Sequence, residues 1–381
     1  MSAFSGITSA QLLCVGVCAA LLAGCASPPL VFPAPAPAPT PAPAPTIALE
    51  PHALIERSLP RALSDRAGWV GDIYGAFSAL SIEPTAERVC AVVAVIEQES
   101  DFQIDPQVPD LGAIAWREID RRAERAGVPP ALVHGVLQLK STNGRSYSER
   151  IAGARTEKDL SDIYEDFIAT VPLGRTLFAE RNPIRTRGPM QVNIVFAERY
   201  AATKPYPYPV QQSIDDEVFT RRGSLYFGIA HLLDYPAPYN RYLYRFADFN
   251  AGQYASRNAA FQSALSTASG LALTTDGALL APDSNTDVPG STEAAARVLG
   301  RRLELSERAL HSALEEGKAS DFERTALYQR VFAQAEKSAG HPLPRAMVPR
   351  ITLQGPKLTR HLTTDWYARR VNERFTRCLN R

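Results

Sequence analysis

The apolar residues of this chain recur mostly at helical spacing between residues 84 and 265, and proline or glycine clusters separate the runs. The clearest run has the i, i+3, i+4, i+7 spacing of one buried helix face at Val89, Val92, Val93 and Ile96. Pro84 suits the first turn of this helix. Residues 291–338 and 361–379 show helical spacing again, so the sequence predicts a mainly α fold.

Residues 266–290 interrupt the helical pattern. They are rich in Ser, Thr, Gly and Asp, a composition typical of loops. Within them, the stretch LALTTDGALLAP (271–282) predicts a short β-hairpin.

The first residues of the chain hold an apolar stretch, 7–24, that is too short to span a bilayer comfortably and ends in LLAGCAS. This ending resembles a bacterial lipobox, in which the cysteine thiol takes a diacylglyceryl group and palmitate is an expected acyl chain. We therefore predict a lipoprotein signal peptide at 1–24 and lipidation of Cys25. The first residues, MSAFSG, depart from the usual pattern because they lack Lys and Arg. A plain secretory signal or an N-terminal membrane anchor is the alternative. Ala26 after the cysteine indicates the outer membrane, facing the periplasm.

A proline-alanine segment follows the lipobox. Residues 28–51 contain 10 of the 30 prolines of the chain, which excludes regular helix or sheet and favours extended polyproline II. At about 3.1 Å per residue such a segment reaches roughly 70 Å. We predict that residues 25–51 form a tether.

Charge and cysteine content narrow the classes of function. The net charge is +1, so the chain lacks the basic excess of a typical nucleic-acid binder. The six histidines are scattered without metal-ligand spacing, and we expect no metal and no cofactor. Outside the leader and Cys25, the remaining cysteines are Cys90 and Cys378, which form either a disulfide or two buried thiols.

Four short segments carry candidate catalytic or binding residues, and we call them islands. The first is VIEQESDF, residues 95–102, where an apolar run ends in carboxylates. Helical geometry places Glu99 beside Val92 and Val95, at the end of the helix. Burial against apolar neighbours would raise the pKa of Glu99, the condition for a carboxylic acid that donates a proton near neutral pH.

Three further islands follow in order: RGPMQV at 187–192, RRGSLYFGIAHLLDY at 221–235 and ADFNAGQY at 247–254. Together with Glu99-Ser100-Asp101-Phe102 they resemble the E-S-x-F, G-L-M-Q, G-x-x-Y and A-Y-N-A-G motifs of the lysozyme-like lytic transglycosylases. Pro189 stands where the family has Leu. Asp248-Phe249 replaces Ala-Tyr, so the tyrosine hydroxyl expected there would have to come from Tyr244 or Tyr254.

The resemblance implies a lysozyme-like helical domain at 52–265, followed by a helical C-terminal extension at 266–381. A long insertion, 103–186, separates the first two islands and is itself mostly helical by its spacing. The resemblance also implies that Glu99 is the catalytic acid and base. The residues implied to bind substrate are Ser100, Met190, Gln191, Tyr226 and Asn250.

The function implied is cleavage of the bond between N-acetylmuramic acid and N-acetylglucosamine in peptidoglycan, with a 1,6-anhydro product. The expected partners are glycan strands and, through Cys25, a membrane; no nucleic-acid partner is expected. Lysozyme-type hydrolysis, with Asp101 as second carboxylate, is the less favoured chemistry. Two other hypotheses are a non-catalytic lysozyme-like lipoprotein that binds peptidoglycan or an envelope assembly, and a helical interaction protein unrelated to lysozyme.

Overall fold

The computed structural model describes residues 50–170, 182–281, 289–353 and 360–381, which belong to one compact unit. In these ranges the chain is mainly helical, as predicted, with sixteen α-helices and one pair of short strands. The helices are α1 (Pro51–Ser58), α2 (Arg66–Ala79), α3 (Ala86–Glu99), α4 (Leu111–Arg125), α5 (Pro130–Val136), α6 (Tyr147–Ala152), α7 (Glu157–Thr170), α8 (Ile194–Thr203), α9 (Ile214–Phe219), α10 (Arg221–Leu233), α11 (Tyr242–Ala251), α12 (Ala255–Ser269), α13 (Ser291–Leu299), α14 (Glu307–Glu315), α15 (Ala326–Ala339) and α16 (Thr364–Leu379). The antiparallel strands are β1 (Thr186–Arg187) and β2 (Val192–Asn193), and two 3₁₀ turns are Glu316–Lys318 and Ser320–Arg324. The predicted leader and Cys25 lie outside the described residues.

The helices pack around three apolar cores. The first contains residues of α1, α2, α3, α8, α9, α10, α11 and α16. The second is built by α12 to α15, and the third lies within the insertion, among α4 to α7. The segment 266–381, which the sequence joins into one extension, is therefore divided: α13 to α15 build the second core, whereas α16 returns to the first.

Helix α3 is the central helix of the first core. Thr85 caps it by accepting a hydrogen bond from the Arg88 backbone N–H at 3.3 Å, so Pro84 lies before the cap and not in the first turn. All eight residues from 89 to 96 are buried, where the sequence predicted a single buried face. The difference arises because α1, α10 and α16 all pack against α3 and enclose it on several sides.

A disulfide joins α16 to α3. Cys90 and Cys378 are bonded, with their Cα atoms 5.5 Å apart, which decides between the two alternatives that the sequence left open. The last residue, Arg381, pairs with Glu97 at 2.6 Å and donates a hydrogen bond to the Ser58 carbonyl at 2.6 Å. The end of the chain is thus fixed to both α1 and α3.

The described parts of the insertion, 103–170 and 182–186, are mainly helical, as predicted, and a buried arginine fastens them to the first core. Arg187 is 1% exposed, forms an ion pair with Asp215 and lies over the Phe219 ring at 4.3 Å. Its guanidinium also donates to the Ser161 hydroxyl of α7 at 2.7 Å. A buried guanidinium is costly unless it is paired, and although the Nε of Arg187 has no hydrogen-bond partner, the ion pair and the bond to Ser161 fix α7 beside the RGPMQV turn.

The hairpin predicted for 271–282 is wrong, because the described part, 271–281, forms no strand. Its backbone groups bond instead to a side chain of α12: the Gln262 amide donates to the Ala278 carbonyl at 2.9 Å and accepts from the Gly277 N–H at 2.7 Å. Gly277 has a φ of 83° and closely approaches the α12 backbone. Two backbone groups of this stretch are therefore bound by α12, and the Thr275 carbonyl accepts from the Arg350 N–H at 2.8 Å.

Candidate active site

Glu99 is the last residue of α3 and is partly exposed. The chain turns sharply after it, because Asp101 and Phe102 have left-handed φ angles of 49° and 63°. Such angles are uncommon outside glycine and persist only where the surroundings enforce them. Phe102 is buried edge-on against Trp69, with ring centroids 5.1 Å apart. The turn that follows Glu99 is therefore held in place by the packing of Phe102 against Trp69.

Ser100 connects the first island to the second. Its buried hydroxyl donates a hydrogen bond to the Pro189 carbonyl oxygen at 2.9 Å, across 89 positions of sequence. The acceptor is a backbone atom, so Pro in place of Leu at position 189 does not remove it. The sequence implied a substrate contact for Ser100, and the structure places its hydroxyl in a bond between the two islands.

The RGPMQV island forms the turn between β1 and β2. Gly188 has a φ of 69°, and a Cβ there would lie 2.3 Å from the Val218 carbonyl, so only glycine fits. Gln191 also has a left-handed φ, 49°, and its backbone N–H donates to the Gly188 carbonyl at 2.9 Å. Its partly exposed side chain accepts from the Thr186 hydroxyl at 2.9 Å. Gln191 thus presents a fixed amide at the surface of the turn.

Helix α10, which carries the G-x-x-Y pattern, packs against the same turn. The Met190 N–H donates to the Ser224 hydroxyl at 3.0 Å, and a Cβ at Gly228 would lie 2.5 Å from the Met190 sulfur. Met190 is 0% exposed, and Tyr226 is 2% exposed with its hydroxyl donating to the Pro205 carbonyl at 3.4 Å. The structure therefore places Met190 and Tyr226 in packing positions, although the resemblance implied contact with substrate.

Asn250, in the third motif, contacts the C-terminal helix. Its side-chain oxygen accepts a hydrogen bond from the Thr364 hydroxyl at 2.8 Å. Thr364 is the first residue of α16, and Asn250 itself is partly exposed. The Asn-Ala-Gly motif is thus linked to the beginning of α16.

Asp248, which departs from the motif of the family, fixes the segment that follows it. The carboxylate is 1% exposed and accepts from the backbone N–H groups of Ser256 and Tyr254, at 2.7 and 3.1 Å. The hydroxyls of Tyr235 and Tyr239 also donate to it. Burial raises the pKa of Asp248 to about 7, while the hydrogen bond from Ser256 favours the ionised form. Asp248 therefore holds the start of α12 in place.

Tyr367 supplies the hydroxyl that contacts Glu99. It is 4% exposed, lies one turn after Thr364 on α16, and donates a hydrogen bond to the Glu99 carboxylate. The sequence suggested that Tyr244 or Tyr254 would supply the tyrosine hydroxyl of the site, but both pack against other tyrosines. Helix α16 therefore contacts Glu99 and Asn250 on successive turns.

The pKa of Glu99 is raised from 4.5 to about 7. Burial is the main cause, the hydrogen bond from Tyr367 opposes it, and the negative charge of Glu157 adds to it. Glu157 is the first residue of α7, so the insertion borders the site. A carboxyl group with this pKa is about half protonated at neutral pH, and it can both donate and accept a proton there.

Replacing Tyr367 with phenylalanine is expected to raise the pKa of Glu99 further, because the hydroxyl stabilises the ionised carboxylate. Carbon-13 NMR of the side-chain carboxyls, with the Glu99 signal assigned through Glu99→Gln, measures the change. Tyr244→Phe is the matched control and should leave that pKa unchanged. An unchanged or lowered pKa in Tyr367→Phe would show that the hydroxyl does not act on Glu99.

The described chain is a mainly helical protein in which a disulfide-linked C-terminal helix contacts a glutamate at the end of a buried helix. It belongs to the family described as Protein of unknown function (DUF1615), whose model matches residues 62–381. It is similar to the Uncharacterized protein YaiW of Escherichia coli strain K12, with 49% identity over 379 residues that cover 100% of both chains. No solved structure matches the chain. The family match includes Glu99, the later motifs and α16.

Proposed function

We propose that the chain is a peptidoglycan lytic transglycosylase with a lysozyme-like helical domain and Glu99 as its acid and base. The observation that carries the proposal is the position of Glu99, which lies at the junction of the motifs and accepts a hydrogen bond from the buried Tyr367, while burial raises its pKa to about 7. Ser100 binds the RGPMQV turn, and Tyr367 and Thr364 of α16 bind Glu99 and Asn250. Motifs far apart in sequence are thus connected around one carboxyl group that can exchange a proton.

The proposed reaction needs one carboxyl group. Protonated Glu99 donates its proton to the oxygen between N-acetylmuramic acid and N-acetylglucosamine, and the bond to the anomeric carbon breaks. The acetamido group of the sugar stabilises the positive charge that develops at that carbon. Ionised Glu99 then removes the proton of the 6-hydroxyl, whose oxygen closes the 1,6-anhydro ring. The partly exposed amides of Gln191 and Asn250 are the side chains that we expect to bind the glycan.

The proposed location is the periplasmic face of the outer membrane, with Cys25 as the lipid anchor and residues 25–51 as the tether. A tether of roughly 70 Å would let the domain reach the cell wall. No cofactor takes part in the proposed reaction.

Hydrolysis is the alternative outcome at the same site, because glycosidases commonly use a second carboxylate. Asp101 is exposed, whereas the charge of Glu157 acts on Glu99. Glu157 is therefore the better candidate for a second carboxylate. In the transglycosylase account it only raises the pKa of Glu99, so Glu157→Gln should lower that pKa and retain activity.

The experiment that tests the proposal is digestion of dye-labelled peptidoglycan sacculi by the compact unit Leu49–Arg381. The native fragment should release dye, and Glu99→Gln should reduce the rate at least about 100-fold, as expected for loss of a general acid. Glu87→Gln, an exposed residue on the same helix, is the matched control and should keep the native rate. No release by the native fragment, or equal release by Glu99→Gln, would contradict the proposal.

One observation favours a second function, non-catalytic binding of peptidoglycan by a lysozyme-like lipoprotein. Glu99 and Asn250 are both engaged by side chains of α16. A domain that only binds glycan needs no free carboxylic acid, so the contacts of α16 with Glu99 and Asn250 are compatible with its function. Sedimentation with unlabelled sacculi distinguishes the two functions: binding by the native fragment and by Glu99→Gln, with no release by either, would favour this one.

A further inference from the structure

The insertion contains an apolar cavity that is separate from the Glu99 site. Its volume is about 510 Å³, and Glu99 is not among the residues that line it. The wall is formed mainly by aliphatic and aromatic side chains of α4 to α7. They include Ile119, Val133, Leu137, Ile151, Ile163 and Phe167.

A cavity of this size is unusual in a small helical core. Protein interiors pack at the density of organic crystals and leave few voids larger than a water molecule. This cavity opens to solvent, since Val128 and Val136 in its wall are partly accessible, and it offers an apolar wall to a ligand. The volume lies within the range of about 300–1,000 Å³ that is typical of ligand sites. The third core is therefore arranged around space that an apolar ligand fits.

A cluster of charged side chains on α4 lies at the polar side of the cavity. Glu118 and Arg122 belong to the lining, and their side chains pair at 2.7 Å. Arg121 also binds Glu118, and Arg125 lies 3.8 Å from it. Three guanidinium groups thus share one carboxylate, and each is at least half exposed, which leaves a positive excess beside an apolar wall.

The rim of the cavity is apolar as well. Val128 and Val136 line the cavity and are 39% and 47% exposed. Leu132 and Leu139 do not line the cavity but lie within two residues of Val133 and Leu137, which do, and they are 64% and 58% exposed. Exposed apolar side chains grouped beside a cavity are typical of a binding surface. A ligand with a long apolar chain and one negative end matches both the wall and the charge.

We propose that the insertion binds a long-chain fatty acid, with its acyl chain in the cavity and its carboxylate against Arg122. The carboxylate would form a charge-assisted hydrogen bond with the guanidinium. The excess charge of Arg121 and Arg125 would favour the anion without breaking the pair between Arg122 and Glu118. This inference does not depend on the proposed activity at Glu99.

Titration calorimetry of the unit Leu49–Arg381 with myristate, below its critical micelle concentration, tests the proposal. One myristate should bind per chain, and 1-tetradecanol, which has the same chain without the charge, should bind more weakly. Val133→Phe places a larger, rigid ring in the wall of the cavity, in the path of the acyl chain, and should weaken myristate binding at least tenfold. Val298→Phe, at a position that is 64% exposed outside the insertion, is the matched control.

The charge is tested by Arg122→Glu, a change at an exposed side chain that keeps the cavity. It should weaken myristate at least tenfold and leave 1-tetradecanol unchanged, while Arg324→Glu, 84% exposed, should alter neither. Absence of saturable myristate binding, or full binding by Val133→Phe, would overturn the site. Equal affinity for myristate and 1-tetradecanol would overturn the assignment of an anionic ligand.

Discussion

Glutamine in place of Glu99 is expected to raise the free energy of unfolding by about 3 kcal/mol at pH 8 and by only about 1 kcal/mol at pH 5. The pKa of Glu99 is about 7 in the folded chain, against 4.5 as its ordinary value. Between these values the folded state holds a proton that the unfolded state has lost, so stability falls as pH rises. Glutamine carries no charge, keeps an acceptor for the Tyr367 hydroxyl, and escapes this loss.

Urea denaturation of the unit Leu49–Arg381 at the two pH values measures the effect. The pKa of Asp248 is also raised to about 7, but Asp248 is present in both the native protein and Glu99→Gln, so its contribution to the pH dependence cancels in the comparison. Glu87→Gln removes an acidic side chain from the first turn of α3, so it should be no more stable than the native protein at either pH value. If Glu99→Gln is no more stable than the native protein at pH 8, Glu99 is not held in a desolvated site. Higher stability together with lost activity is the trade-off expected of a functional residue.

The disulfide between α3 and α16 is expected to contribute about 3–5 kcal/mol to the free energy of unfolding, because it closes a very long loop. Cys90 and Cys378 are 288 positions apart in sequence. The double variant Cys90→Ala with Cys378→Ala should lose this stabilisation. It should also loosen the contact between Tyr367 and Glu99, since both lie on the helices that the bond joins.

Chemical denaturation with and without dithiothreitol measures the contribution. The reductant should lower the stability of the native protein to that of the double variant and should leave the double variant unchanged. After dithiothreitol is added to the native protein, the rate of backbone hydrogen exchange should increase more in α16 than in α10, because the disulfide does not link α10. Equal stability of the native protein and the double variant would show that the packing of α16 suffices without the bond.

The sequence predicts the parts of the site that lie on the central helix and misses the part that α16 provides. Hydrophobic spacing identifies α3, and burial at its end leads directly to a raised pKa at Glu99. Tyr367 is missed because it lies 268 positions away, beyond any local pattern. The two cysteines hold the missing signal. Glu99 lies 9 residues after Cys90 (99 − 90), and Tyr367 lies 11 residues before Cys378 (378 − 367). Along two antiparallel helices joined at the cysteines these separations are roughly 14 and 17 Å, so the pairing brings Glu99 and Tyr367 to similar heights.

Motif resemblance does not distinguish residues that face solvent from residues that pack. Met190 and Tyr226 fit the motifs, yet both are buried, because α10 closes over the turn. The sequence also does not predict where the insertion packs against the first core. Its helices follow from their spacing, but the contact of α7 with the first core depends on Arg187 and its partners, which are separated along the chain. Long-range ion pairs of this kind leave no periodic pattern in a sequence.

Mass spectrometry of the fragments that the unit Leu49–Arg381 releases from purified peptidoglycan tests the central claim most directly. The account predicts 1,6-anhydro muropeptides, lighter by one water than hydrolytic products, from the native unit and from Glu157→Gln, and none from Glu99→Gln. Hydrated products that disappear in Glu157→Gln would identify a hydrolase. Release of no fragment by the native unit, although it binds the sacculi, would contradict an enzymatic function at Glu99.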